Sequence, residues 1–303
     1  MRIGVVVPNQ RATVDSVRAH LVRLEQLGLD SAWMPGIPNG PDILTLLAVA
    51  GQATEQLELG TAIVPTHPRH PVALAAQALT VDDALGGRLT LGIGVSHEKV
   101  IDGQLGLDFD RPVRHVREYL SVLRPLLAEQ RVEFRGETMR TRIRLDASFS
   151  GQPPPPVLLA ALGEQMLRVA GSLADGFVSW MTGLRTLEDH SIPVIKAAAQ
   201  RAERPAPRIV VGLPILLTDD TAAGRARADA EFAVYGRLPS YRAMLAAEGA
   251  RSPGDIAIVG DEAAIAGTLK RVEEMGATDF QATPFGSEEE ITRTVELLAS
   301  RPV

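Results

Sequence analysis

Eight short apolar runs recur along these 303 residues, each of strand length and each followed by a stretch of helical periodicity. That alternation restricts the fold more than any other feature of the chain. The runs are IGVVV from Ile3, SAWM from Ser31, LELGTAIV from Leu57, LTLGIGV from Leu89, VLLAAL from Val157, GFVSW from Gly176, IVVGLPILL from Ile209 and DFQATPF from Asp279. Between the first two, Val14, Val17, Leu21, Leu24 and Leu27 form a helical stripe ended by Gly28. Asp42 is placed to cap a helix over 42–55. Further helices are predicted over 71–85 and 114–127, from Gln165, up to about Arg201 and over 287–299, with a broken helical region across 219–276. Strands separated by helices pair in parallel through right-handed crossovers, and eight such units can close into a barrel. A doubly wound open sheet would carry a glycine-rich turn after its first strand. Here GVVVP is followed by Asn9, Gln10 and Arg11. The predicted fold is α/β, a (β/α)8 TIM barrel forming one domain over 1–303. It carries a hairpin insertion at about 131–156, ending in Pro153–Pro156, and a variable helical region at about 219–260.

Several function classes fall away on composition. The net charge is −6, and Lys and Arg are scattered with no basic block, which disfavours nucleic acid as a partner. There are no cysteines, so disulfides, thiolate chemistry and Cys-based metal sites are excluded. The opening MRIGVVVPNQ is too short for the apolar region of a signal peptide, and the apolar runs are too short to span a bilayer. A cytoplasmic protein with no membrane association is expected.

In such a barrel the active site lies at the C-terminal ends of the strands. His67, His70 and His97 all fall there, on neighbouring strand ends. No H-x-H or H-E-x-x-H pattern accompanies them and acidic partners are sparse, so no metal site is expected. Carboxylates at the strand ends are few, with Glu98 and Glu164 the candidates, and a hydrolytic pair needs two acids facing one bond, so a paired-carboxylate hydrolase is not expected. No G-x-S-x-G elbow is present, and Ser96 and His97, being adjacent on a strand, point to opposite faces. What remains is a mouth of small, apolar, His- and Thr-bearing residues. It suits a planar cofactor that carries its own chemistry while the protein binds and orients it.

The segments GTAIVPTHPRHPVALAAQALT from Gly60, GGRLTLGIGVSH from Gly86, FDRP at Phe109, PPPPVLLAALGEQMLRVAG from Pro153 and LADGFVSWMTG from Leu173 carry a family likeness. In this order the chain resembles the luciferase-like F420-dependent oxidoreductases of actinobacteria, least so over about 219–260. The resemblance implies coenzyme F420, a 5-deazaflavin, stacked on a third-strand bulge with a cis peptide at Ala62–Ile63. It places the ring's polar edge at Val64, Thr66, Gly94, Ser96 and His97. His97 stands where many relatives have an acid, and could hydrogen-bond the ring, pass a proton to substrate, or be a satisfied structural histidine. The phosphate tail is implied at Ala160, Ala161, Leu162 and Gly163, leading into a helix with Met166 and Arg168 nearby. Trp180, with Met181 and Thr182, ends the sixth strand beside the ring, as core or as substrate wall. Alcohol-oxidising members carry Asp-His just after the second strand. Here Trp33 is followed by Met34, Pro35 and Gly36, which points to reduction of an unsaturated or carbonyl compound. Two alternatives stay open: an FMN-dependent monooxygenase, and a non-catalytic deazaflavin-binding barrel. The resemblance also implies a homodimer through the early helices, where Leu44, Leu46, Leu47, Val49 and Ala50 wrap more than one face of helix 42–55.

Overall fold

A computed structural model describes residues 1–37, 39–146 and 153–301. All eight apolar runs form strands: β1 (Arg2–Val6), β2 (Ser31–Met34), β3 (Glu58–Thr61) with its continuation β4 (Val64–Pro65), β5 (Leu89–Gly94), β8 (Val157–Ala160), β9 (Gly176–Trp180), β10 (Arg208–Leu217) and β12 (Asp279–Pro284). They pair in parallel in the order β10-β12-β1-β2-β3-β5-β8-β9, and β9 pairs back onto β10, so the sheet closes into an eight-stranded barrel. The run from Leu57 is not one strand as the sequence suggests. It breaks between β3 and β4, where the Ala62–Ile63 peptide is cis.

The helices are α1 (Val14–Gln26), α2 (Ile43–Ala50), α3 (Pro71–Ala84), α5 (Pro112–Glu129), α6 (Glu164–Leu173), α8 (Ile192–Arg201), α12 (Glu262–Glu274) and α13 (Glu288–Ala299), with short α4 (Glu98–Ile101) and α7 (Leu184–Thr186). Asp42 caps α2 as predicted, its carboxylate accepting from the Thr45 N–H at 2.8 Å. That helix is shorter than 42–55: it passes into a 3-10 turn over Gly51–Ala53. The variable region resolves into α9 (Thr221–Glu231), α10 (Pro239–Glu248), α11 (Pro253–Ile256) and a short strand β11 (Ile258–Gly260). That strand pairs with the end of β10 outside the ring. Among the described residues no helix is long and apolar enough to cross a membrane.

The insertion is an antiparallel ribbon of β6 (Arg131–Arg135) and β7 (Arg140–Arg144); residues 147–152 of the expected hairpin lie outside the described residues. It folds back along α5. The buried Glu118 carboxylate accepts the Glu137, Thr138 and Met139 N–H groups at 2.8–3.0 Å, and so holds the turn of the ribbon.

Inside the barrel, alternate residues of each strand meet. At the N-terminal floor, Arg208 bonds both carboxylate oxygens of Asp279, Glu58 at 2.7 Å and the Thr90 hydroxyl at 3.1 Å. Above it lies Trp33, with the Arg208 guanidinium 5.8 Å from its ring centre. The two strands paired with β2 make room for the indole with Gly4 and Gly60, where a Cβ would stand 2.6 and 2.2 Å from ring atoms. Leu158, Val178 and Val210 complete this layer.

Candidate functional site

The layer above Trp33 opens toward the C-terminal ends of the strands, and its floor is small. Ala62, Ile63 and Ala160 pack on the inner cluster. A Cβ on Gly94 would lie 3.0 Å from the Ala160 Cβ and 3.2 Å from Ile63, so these three residues converge into a low apolar shelf. The bulge that presents Ile63 is fixed by main-chain bonds, Ala62 N–H to Met34 O at 2.9 Å and Gly36 N–H to Ile63 O at 3.1 Å. Val64 is buried in its pairing with β5, and Thr66 ties back through its N–H to Gly94 O at 2.9 Å. The structure thus brings Ala62, Ile63, Val64, Thr66, Gly94 and Ala160 together.

At the mouth stand two buried oxygens without hydrogen-bond partners, Gln281 Oε1 and Thr283 Oγ1, and a buried Trp180 Nε1 that faces the Tyr235 side chain without a hydrogen bond of ordinary length. Gln281 and Thr283 share with Asp279 the inward face of β12, and Gln281 and Trp180 both border Gly212. Such atoms are costly to bury unless something supplies the missing bond. They are what a flat heteroaromatic ring with polar edges would satisfy. Gly163 fits the tail of such a group. It begins α6 with no side-chain cap, its φ of −78° does not require glycine, and a Cβ there would meet nothing within 4 Å. The helix N–H groups are therefore open to an anion, with Ala161 and Met166 buried behind them and Leu162 half-buried. Arg168 faces outward and pairs with Glu164.

The three histidines separate. His70 caps α3, accepting from the Val72 N–H at 3.3 Å, and is exposed. His97 follows Ser96, whose φ is +62°, and lies half-buried at the start of α4 with its ring 5.7 Å from Tyr241, edge-on. Burial lowers its pKa, and among the described residues no carboxylate pairs with it. His67 stacks between Phe109 at 5.0 Å and His115 at 4.0 Å. His115 Nε2 in turn meets Thr66 Oγ1 at 3.0 Å. Burial, then the neighbouring His67, holds His115 down to about 4, so the stack is neutral at pH 7.

Sequence reasoning missed His115, Gln281 and Thr283, although the alternation in DFQATPF puts both β12 residues on one face. It also missed the aromatic wall. Trp180 meets Phe232 at 5.9 Å and Tyr235 at 5.6 Å, Tyr235 meets Tyr241 at 5.0 Å, and Phe232 meets Phe285 at 5.5 Å. Three of these rings come from the segment of weakest resemblance. Trp180 also packs against the core, so it is both core and wall. No group of three potential metal ligands occurs among the described residues.

The model of the luciferase-like monooxygenase family matches residues 1–300. An F420-dependent glucose-6-phosphate dehydrogenase of Intrasporangium calvum is 33% identical over 230 residues, 70% of this chain and 68% of that one. The coenzyme F420-dependent tetrahydromethanopterin reductase of Methanopyrus kandleri superposes with a TM-score of 0.81 at 20% identity, over 99% of this chain and 97% of that one. The oxygenating constituent of 3,6-diketocamphane monooxygenase of Pseudomonas putida, in complex with FMN, gives 0.79 at 18% identity over 99% and 97%. At such identities the two structures bear on the fold alone. The family match runs almost from end to end of the barrel, and the chain belongs to the luciferase-like monooxygenase family.

Proposed function

We propose that this chain is a coenzyme F420-dependent oxidoreductase acting on a small organic substrate, in the direction of reducing an unsaturated or carbonyl compound. The observation that carries the reading is the mouth itself, which combines the Ile63–Gly94–Ala160 shelf with unpaired buried oxygens of Gln281 and Thr283 on the inward face of β12. The relative from Intrasporangium calvum supports the choice of deazaflavin over flavin. Ala62, Ile63, Val64, Thr66, Gly94, Ser96 and His97 would hold the ring, and Ala161, Leu162, Gly163 and Met166 the phosphate end, with Ala160 on the shelf between the two. When bound, the deazaflavin supplies a centre that gives or takes a hydride.

The protein's part is orientation, exclusion of water and one proton. The aromatic wall of Trp180, Phe232, Tyr235 and Tyr241 shields the mouth from solvent. His97, kept neutral by burial, accepts a hydrogen bond or a proton at its imidazole; to give a proton it must first be charged. Reduction of a carbonyl should therefore quicken as pH falls below neutrality, and His97→Phe should flatten that profile. The first test is fluorescence titration of the purified protein with F420 and with FMN, then turnover of reduced F420 against a panel of enones and ketones. Micromolar F420 binding with turnover is expected. Tighter FMN binding with oxygen consumption would move the chain to the monooxygenase reading. F420 binding without turnover on any acceptor would leave a carrier barrel. We also propose a homodimer that covers α2, where Val49 is exposed; light scattering at micromolar concentration tests it.

A further inference from the structure

The β6–β7 ribbon gathers charge that the linear sequence disperses. Its register sets Arg131 opposite Arg144, Glu133 opposite Arg142 and Arg135 opposite Arg140. On an antiparallel pair these six side chains share one face. The other face carries Val132, which is buried, and Phe134, which packs on the core. The outward face therefore holds five arginines and one glutamate, on a protein whose net charge is −6. The guanidinium groups stand in solvent: Arg142 is 83% exposed and Arg131 73%. Among the described residues Arg135, Arg140 and Arg144 have no ion-pair partner. Two Arg–Arg pairs face each other directly, an arrangement that weakens a sheet. Nothing in the packing of the ribbon calls for it, since the turn is already held by Glu118.

We propose that this face is a docking surface for a short, extended, acidic segment of another polypeptide. Arginine forks suit planar carboxylates. The ribbon already shows the contact it would make: at its turn, Arg111 and Arg114 both hold the Glu137 carboxylate. The face is small. Five-residue strands span roughly 17 Å, the reach of about five extended residues. A nucleic-acid backbone or an anionic bilayer would extend beyond that footprint onto an acidic protein, and would meet Glu133 at its centre. A peptide can place its carboxylates between the arginine pairs and leave Glu133 uncovered.

Fluorescence anisotropy of labelled pentaglutamate titrated with the full chain tests this, beside oligothymidylate of matched charge and phosphatidylglycerol vesicles. Pentaglutamate should bind, and its affinity should fall about tenfold between low and physiological salt. Arg135→Glu with Arg140→Glu should weaken it by at least about tenfold. The single change Arg135→Glu sets an opposite charge before Arg140. It should lower affinity while leaving the melting temperature at or above that of the wild type, which separates lost binding from lost fold. Absence of pentaglutamate binding would overturn the proposal. So would affinity indifferent to these substitutions, tighter binding of oligothymidylate, or co-sedimentation with the vesicles in preference to the peptide.

Discussion

The chain has two tryptophans, and they occupy opposite ends of the same barrel interior. Trp33 sits just above the floor, fully buried, its Nε1 donating to Ser31 Oγ at 2.9 Å and its ring beside the Arg208 guanidinium. Trp180 sits at the mouth, its Nε1 buried and facing the Tyr235 side chain without a hydrogen bond of ordinary length. The contrast repeats along a single strand. On β12, Asp279 at the floor is saturated by Arg208 and by the Thr278 hydroxyl at 2.6 Å, whereas Gln281 and Thr283 above it each keep an oxygen unpaired. One sheet thus has a closed polar end and an open one. The closed end spends its charges on itself and contributes fold stability. The open end keeps its polar atoms for something else, and gives up stability to do so.

Breaking the floor should have the largest effect. Arg208 is kept charged against its burial by the hydrogen bonds to Asp279 and the charge of Glu58. Arg208→Ala would leave two acids facing the interior with Arg2 as their one remaining ion-pair partner among the described residues, at 2.8 Å from Glu58 and 3.7 Å from Asp279. A loss of about 3–5 kcal/mol is expected from the urea midpoint, because removing one partner strands the others. Arg208→Lys should recover only part of it, since an ammonium cannot bond both oxygens of Asp279 and still reach Glu58 and Thr90. A loss under about 1 kcal/mol from either change would remove the floor from the account of stability.

The fold was legible because hydrophobic periodicity is local: the eight runs and most helix positions can be counted on the page. The break in the third strand was not, since Ala62 and Ile63 are as apolar as their neighbours, and only the family likeness placed a bulge there. The site was legible in part. Ile63 and Gly94 lie side by side, but Ala160, which the likeness sets at the phosphate tail, packs beside them; His97 meets Tyr241, and His67 meets His115, across sequence separations that no motif spans. The arginines of the insertion looked scattered for a different reason. They alternate along two strands, and only the antiparallel register puts them on one face.

A smaller effect should come from the rim of the mouth and should depend on pH. The His115 imidazole is lowered from an ordinary 6.5 to about 4, first by burial and then by His67, with Glu118 opposing. The unfolded chain therefore binds a proton in that window which the folded chain refuses. The stability so conferred is complete above pH 6.5, declines as pH falls through the window, and is gone below about pH 4. For a partly exposed ring, solvent screening reduces this to roughly 1–2 kcal/mol. His115→Phe keeps an aromatic face against His67 and removes the titration. The drop in urea midpoint between pH 7 and pH 5 should shrink by a corresponding amount; an unchanged drop would place the acid sensitivity elsewhere.

The smallest change in stability, and the sharpest test of the contrast between the two ends, belongs to Gln281. Its side chain is 4% exposed and its Oε1 has no donor. Methionine has nearly the same shape and no oxygen to desolvate, so Gln281→Met should leave stability unchanged or raise it by up to about 1 kcal/mol. If the proposed cofactor sits in this mouth, the same substitution should weaken F420 by about tenfold, because a buried hydrogen-bonding group open to the ring is gone. At the floor, removing a polar side chain costs the fold; at the mouth it should cost only the ligand. If Gln281→Met instead destabilised the protein by more than about 1 kcal/mol, its oxygen would be paired within the fold, and the mouth would be a second floor rather than a site.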